Sequence, residues 1–194
     1  MPKIIDHDER RREIVEVAKR IILKGGFEAA TMRSIATEAG FANGALKHYF
    51  PGKESIVAAT FESILAGMED AVAAAPAAEP GVQLEHFLRT PMPRTEEEIA
   101  SGRVLLALWE YAMSNEELAA LYRAFLQRWR DSFTEYMSAA RDAGAISVDA
   151  PYDRLATEYM SVVIGATVVN LMFSNGSRIA DFDEYLDSFL ARMR

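Results

Sequence analysis

Residues 31–53, TMRSIATEAGFANGALKHYFPGK, constrain the fold more than any other stretch, because they set two short helical patterns either side of a glycine-containing turn. Thr31 offers a hydroxyl to free backbone N–H groups, and Met32, Ile35, Ala36 and Ala39 then recur at the i, i+3, i+4, i+7 spacing of an amphipathic helix. Gly40 predicts its end, since glycine tolerates the left-handed backbone of a sharp reversal, and the small Ala36 lets a second helix come close. Asn43 reads as the N-cap of that second helix, Leu46 and Phe50 as its anchors to the core, and Pro51 with Gly52 as its stop after barely two turns. Gly44, Ala45, Lys47, His48 and Tyr49 are left to face something other than the core. A helix-turn-helix turns such a face to base-pair edges and their flanking phosphates.

The neighbouring sequence supports that reading over a merely structural helical hairpin. Upstream, Asp8-Glu9-Arg10-Arg11-Arg12 leads into Ile14, Val17, Ala18, Ile21 and Ile22 and stops at Lys24-Gly25-Gly26-Phe27: an acidic start, an apolar stripe and a glycine end. Downstream, Lys53-Glu54 opens another amphipathic helix carrying Ile56, Val57, Phe61, Ile64, Leu65 and Met68.

In the order and spacing of the helix ending Gly25-Gly26-Phe27, the Thr31 to Gly40 helix, Leu46-Lys47-His48-Tyr49-Phe50 and Pro51-Gly52-Lys53-Glu54, the first third of the chain resembles the TetR family of one-component transcriptional regulators. The remainder is similar to that family in length and in its run of amphipathic helices. The chain departs from the family at Ala45, where members often carry a hydroxyl residue, and at Lys47, where they often carry an aromatic. The resemblance implies an all-α protein, with an N-terminal three-helix helix-turn-helix domain over 1–53 and a larger helical ligand-binding and dimerisation domain over 54–194. Thr31, Arg33, Tyr49 and Lys53 are expected at phosphates, at helix N-termini or just beyond the second helix. Asn43, Ala45, Lys47 and His48 are expected at base edges, with Gly44 in the same face.

Charge is distributed accordingly. The chain carries a net −8, yet residues 1–56 hold 10 Lys and Arg against 8 Asp and Glu, while the remainder holds 11 against 21. An acidic protein is repelled by DNA, so contact has to run through the N-terminal third. With no cysteine, neither a disulfide framework nor a cysteine-based metal site is available. Met1 to Asp8 is polar and gives no secretory pattern, and the longest apolar run, Val162 to Phe173, falls short of the roughly 20 residues that span a bilayer. A cytoplasmic protein is expected.

Beyond residue 70, breaks at 75–81, 90–93, 143–151 and 174–176 fence off helices expected over 82–90, 95–113, 115–142, 152–173 and 181–193, with no convincing strand. Two of them are rich in rings. Trp109 and Met113 on one, and Phe125, Trp129 and Phe133 along a single stripe of the next, read either as ordinary core or as the lining of a mostly apolar effector cavity. The effector is then a small apolar or aromatic molecule, with a cationic one also accommodated by ring faces and by Glu110, whose other reading is a solvated helix face. His86 and Asn170 read as satisfied core groups. Tyr159, Val162, Val163, Ala166, Val169 and Phe173, followed by Phe182, Tyr185, Leu186, Phe189 and Leu190, give the last two helices apolar faces suited to a homodimer, which doubles the DNA site.

Enzyme signatures are missing: no phosphate-binding glycine loop, no Gly-x-Ser-x-Gly, no His-Glu-x-x-His and no dinucleotide fingerprint occurs. No cofactor is expected. The pattern points to a ligand-responsive homodimeric repressor on a palindromic double-stranded operator. The competing class is an all-α small-molecule-binding or scaffold protein without DNA binding, which would show no salt-sensitive duplex affinity.

Overall fold

The computed structural model describes residues 7–42, 44–74, 78–173 and 179–194, and among these every regular element is helical. In chain order they are α1 (His7–Ala29), α2 (Met32–Glu38), a 3-10 turn (Ala45–His48), α3 (Lys53–Ala73), α4 (Pro80–Arg89), α5 (Glu96–Ala112), α6 (Glu116–Asp142), α7 (Asp153–Met172) and α8 (Ile179–Ala191). The later helices fall within two residues of the positions expected from the proline and glycine breaks. The break expected at 174–176, and residues 75–77 of the one expected at 75–81, lie outside the described residues.

The chain divides into two compact units, Met1–Ala66 with Arg103–Leu121, and Gly67–Gly102 with Tyr122–Arg194. In the first, α1 buries Ile14, Val17, Ala18, Ile21 and Ile22, and its helical path is interrupted at Gly26, at φ 74° and ψ −179°. Thr31 caps α2 as the sequence implies: the Ser34 N–H donates to the Thr31 hydroxyl at 3.0 Å and the Thr31 N–H to the Ser34 hydroxyl at 2.9 Å, a reciprocal box with serine in the return position. At the other end the N–H of Phe41 reaches back to Ala36 O at 2.8 Å around Gly40 at φ 73°, which closes the helix and reverses the chain.

The second helix of the motif is shorter than expected. Gly44 sits at φ 96°, which no helix interior accommodates, so helical geometry starts only at Ala45. Pro51, without an N–H, stops it. Between them only Ala45–His48 forms a 3-10 turn, capped by Tyr49 and followed by Phe50 N–H donating to Leu46 O at 3.0 Å. Leu46 and Phe50 are both buried, as their spacing requires. Asn43, expected as its cap, lies outside the described residues.

The second unit is organised around Phe87 of α4. Its ring lies 5.0 Å from Trp129, 4.9 Å from Tyr136, 6.4 Å from Phe133 and 6.1 Å from Tyr159, centroid to centroid. Tyr159 is fully buried, and its hydroxyl donates to Leu88 O at 3.0 Å. Burial pushes that phenol well above its ordinary pKa, so it remains a donor. By length and composition α7 could cross a membrane, with mean hydropathy 1.4 over its most apolar window. Its Ala156, Tyr159, Val163, Asn170 and Leu171 are buried in the protein.

α8 is tied to α4 by charge. Arg89 pairs with Glu85 at 2.9 Å on its own helix and with Asp183 at 3.3 Å, while Arg94 donates to the other oxygen of Asp183 at 3.0 Å. The hydrogen bond from Arg94 holds the Asp183 carboxyl below its usual pKa; partial burial opposes the shift, and the charges of Arg94 and Arg89 add to it. A carboxyl with a depressed folded-state pKa stabilises the fold above its unfolded value and loses that contribution as pH falls through the folded one. Asp183→Asn is therefore expected to lower the urea midpoint by a constant amount from neutral pH down to mild acid, with the difference from the parent protein closing below about pH 4. Unfolding curves at descending pH check this, and a difference that persists undiminished in acid would contradict it.

Candidate nucleic-acid interface

The turn at 45–48 divides its residues between inside and outside in the way its spacing demands. Leu46 is 2% and Phe50 0% exposed, whereas Gly44, Lys47 and His48 are exposed and Ala45 and Tyr49 half-buried. Lys47 and His48 thus project from a turn pinned on both sides by apolar anchors. Thr31 and Arg33 are exposed at the start of α2. Thr31 already spends its hydroxyl on the cap with Ser34. Neither Arg33 nor Lys47 forms an ion pair with another described residue, so both charges are available, while Arg10, Lys19 and Arg20 are paired with Glu13, Glu16 and Glu38.

The turn is held by groups that the sequence pattern does not reveal. The Arg11 guanidinium lies 4.1 Å from the centre of the Phe50 ring and donates to the carbonyl of Tyr49. Tyr49 also rests between the rings of His7 at 5.1 Å and Phe41 at 5.4 Å. Nothing in the spacing of the run Arg10-Arg11-Arg12, just after the acidic helix start, announces a partner 38 residues away.

Lys53, expected at a phosphate, is placed differently. Its ammonium donates to Phe27 O at 3.2 Å, sits 3.7 Å from the centre of the Phe27 ring and lies 3.8 Å from Glu28. Only 21% of the side chain is exposed. The Phe27 carbonyl, which also accepts the Ala30 N–H at 3.2 Å, and the ring face beside it give the ammonium a better site than open solvent.

The ring stripe of α6 is filled core in this structure. Phe125, Trp129 and Phe133 are buried in the second unit, with Phe125 5.6 Å from Trp129 and Phe133 5.4 Å from Tyr159. Trp109 and Met113 belong to the first unit. Met113 is 84% exposed, because α5 ends at Ala112 and the residue falls in the following turn, off the helical stripe. It lines no enclosed cavity. Glu110 is exposed, in line with the solvated reading. His86 has a partner in Ala71 O at 3.1 Å; Asn170 donates to Pro93 O at 3.3 Å, but its buried Oδ1 meets no partner among the described residues.

Along α7 and α8, beside Asp181, runs an open, mostly apolar cleft of about 390 Å³, its apolar lining Val162, Ala166, Val169, Phe173, Phe182 and Tyr185 with Gly165 as a notch. These are the residues expected to serve self-association. Val169 is 46% and Phe173 39% exposed, large amounts for apolar side chains.

Comparison with known proteins places this geometry. Residues 14–60 match the family model described as bacterial regulatory proteins, tetR family, and residues 80–194 match that of the BetI-type transcriptional repressor C-terminal region. The HTH-type transcriptional regulator BetI of Rhizobium meliloti (strain 1021) is 30% identical over 179 residues, covering 87% of this chain and 88% of that protein. PksA of Bacillus subtilis (strain 168), another HTH-type regulator, is 33% identical over 120 residues, 61% of this chain, and the match spans 58% of PksA. Among solved structures, a TetR transcription regulator from Haloarcula marismortui aligns with a TM-score of 0.87 at 18% identity, over 96% of this chain and 98% of that one. A transcriptional regulator from Saccharomonospora viridis, solved in complex with choline, aligns with a TM-score of 0.83 at 22% identity, over 95% and 96%. At such identities the structures establish the shared fold.

Proposed function

The chain belongs to the TetR family of transcriptional regulators, and from that premise we propose that it is a cytoplasmic, homodimeric, ligand-responsive repressor that reads a palindromic operator through residues 31–53. The observation that carries the reading is the turn itself: Lys47 and His48 exposed between the buried anchors Leu46 and Phe50. Ala45, Lys47, His48 and Asn43 face base edges with Gly44 beside them, and Thr31, Arg33 and Tyr49 meet phosphates. Lys53 keeps its place in the interface by fixing the turn to α1. Residues 54–194 form the effector and dimerisation part in this reading.

Choline bound to the Saccharomonospora relative, together with a C-terminal region matching the BetI type, supports a small cation as effector. Trp129 and Phe133 pack on Phe87, and Phe125 on Trp129, so a quaternary ammonium meets the faces of these rings only if the core opens on binding. Effector binding shifts α3, which begins at Lys53, and so alters the separation of paired recognition turns from the roughly 34 Å of one DNA turn. Such a mechanism requires reciprocity. Choline affinity measured with and without a saturating duplex, selected from a random library by the protein itself, is expected to fall on DNA; equal affinities would remove the ligand response.

The dimer assignment has its own test. Val169→Asp places a carboxylate in the apolar α7–α8 cleft, and burying it in an interface without a partner is prohibitively unfavourable. Sedimentation is expected to show the parent chain as a dimer and the variant as a folded monomer. A parent monomer, or a variant that still dimerises, would contradict the assignment.

A further inference from the structure

The two ends of the helix-turn-helix are joined to each other by a single ring. Phe27 lies four residues before the cap Thr31, directly after the break at Gly26, and Lys53 lies directly after the Pro51-Gly52 stop. The Lys53 ammonium bonds the Phe27 carbonyl at 3.2 Å and sits 3.7 Å from the ring centre, so the segment 27–53 is closed into a loop. Against the same ring stacks Tyr111 of α5, at 4.1 Å between centroids and 24° between planes. Tyr111 falls within the residues that match the BetI-type C-terminal region, yet Arg103–Leu121 forms one compact unit with Met1–Ala66. A residue of the C-terminal region is therefore built into the DNA-reading unit, at the point where its loop closes.

We propose that Tyr111 is a positioning residue for DNA reading: through its stack on Phe27 it fixes the closure by Lys53, and with it the orientation of the turn that carries Lys47 and His48. The proposal rests on the reading of 31–53 as the DNA-contacting segment. Tyr111 carries no charge and touches no DNA in this account, so its removal acts only through geometry. The ring is what matters, since among the described residues the hydroxyl accepts one long hydrogen bond, from Asn115 Nδ2 at 3.4 Å. Ring stacks of this kind have strict geometry and lose their preference when one ring is removed.

The test compares the full-length parent chain with Tyr111→Ala, Tyr111→Phe and Phe27→Leu on the duplex selected by the parent, over a range of salt. Tyr111→Ala and Phe27→Leu are expected to weaken binding about tenfold with the dependence on salt unchanged, because no phosphate contact is lost. Tyr111→Phe is expected to bind as the parent does. Hydrogen exchange at residues 44–50 is expected to quicken in the two weakened variants and not in Tyr111→Phe, a readout that needs no DNA and survives partial loss of stability. Parent-like affinity and parent-like exchange in folded Tyr111→Ala would overturn the positioning role while leaving the DNA-reading proposal standing. A parent chain that selects no duplex would instead remove that reading, and the positioning role with it.

Discussion

Replacing Phe87 with alanine is expected to cost about 3–5 kcal/mol of folding stability, the usual range for deleting a large buried ring. Phe87 is 0% exposed and is the ring that Trp129, Phe133, Tyr136 and Tyr159 share. The backbone carbonyls of Phe87 and Leu88 also lie beside the Tyr159 hydroxyl. A cavity at this position would therefore loosen α4, α6 and α7 together. Met113→Ala gives the contrast, because that side chain is 84% exposed and its loss is expected to stay within about 0.5 kcal/mol. Denaturant unfolding of both variants checks the assignment of the ring cluster as core. A Phe87→Ala cost as small as that of Met113→Ala would mean that the rings are loosely packed and free to part for a ligand without penalty.

The second large effect is on DNA. Lys47→Ala combined with His48→Ala is expected to reduce affinity for the selected operator by about 2–6 kcal/mol, taking about 1–3 kcal/mol for each good base contact. Both side chains are exposed and neither supports the core, so the fold is expected to survive. Loss confined to the operator, with binding to a scrambled duplex largely kept, would show base reading. Uniform loss on both duplexes, with a shallower salt dependence, would instead assign Lys47 to a phosphate. Full operator affinity in the folded double variant would contradict a recognition role for the turn.

The fold was largely legible in the sequence, because its punctuation is local. Pro80 at the start of α4, Gly40 after α2 and Gly144 after α6 act on the backbone where they stand, and helix ends followed from them. The recognition turn was misread in length for an equally local reason, the left-handed Gly44, whose conformation the spacing of Leu46 and Phe50 does not encode. What held the site was not legible. Arg11 on Tyr49 and Phe50, Lys53 on Phe27 and Tyr111 on Phe27 join residues far apart in sequence, and helical periodicity reports which face is buried, not what it meets. The stripe of Phe125, Trp129 and Phe133 was visible in the same limited sense. That Phe87 fills the space in front of it became apparent only from the packed helices.

The most direct measurement is the affinity of the parent protein for its selected duplex as salt is raised from about 50 to 200 mM. With Arg33 as the free cation assigned to a phosphate on each protomer of the proposed dimer, about two charges act, and log K is expected to fall with log salt at a slope near −1.8, roughly a tenfold loss across that range. Arg33→Ala is expected to remove most of that slope, one contact on each protomer. An affinity indifferent to salt, or a slope unmoved by Arg33→Ala, would contradict the assignment of residues 31–53 as the surface that meets DNA.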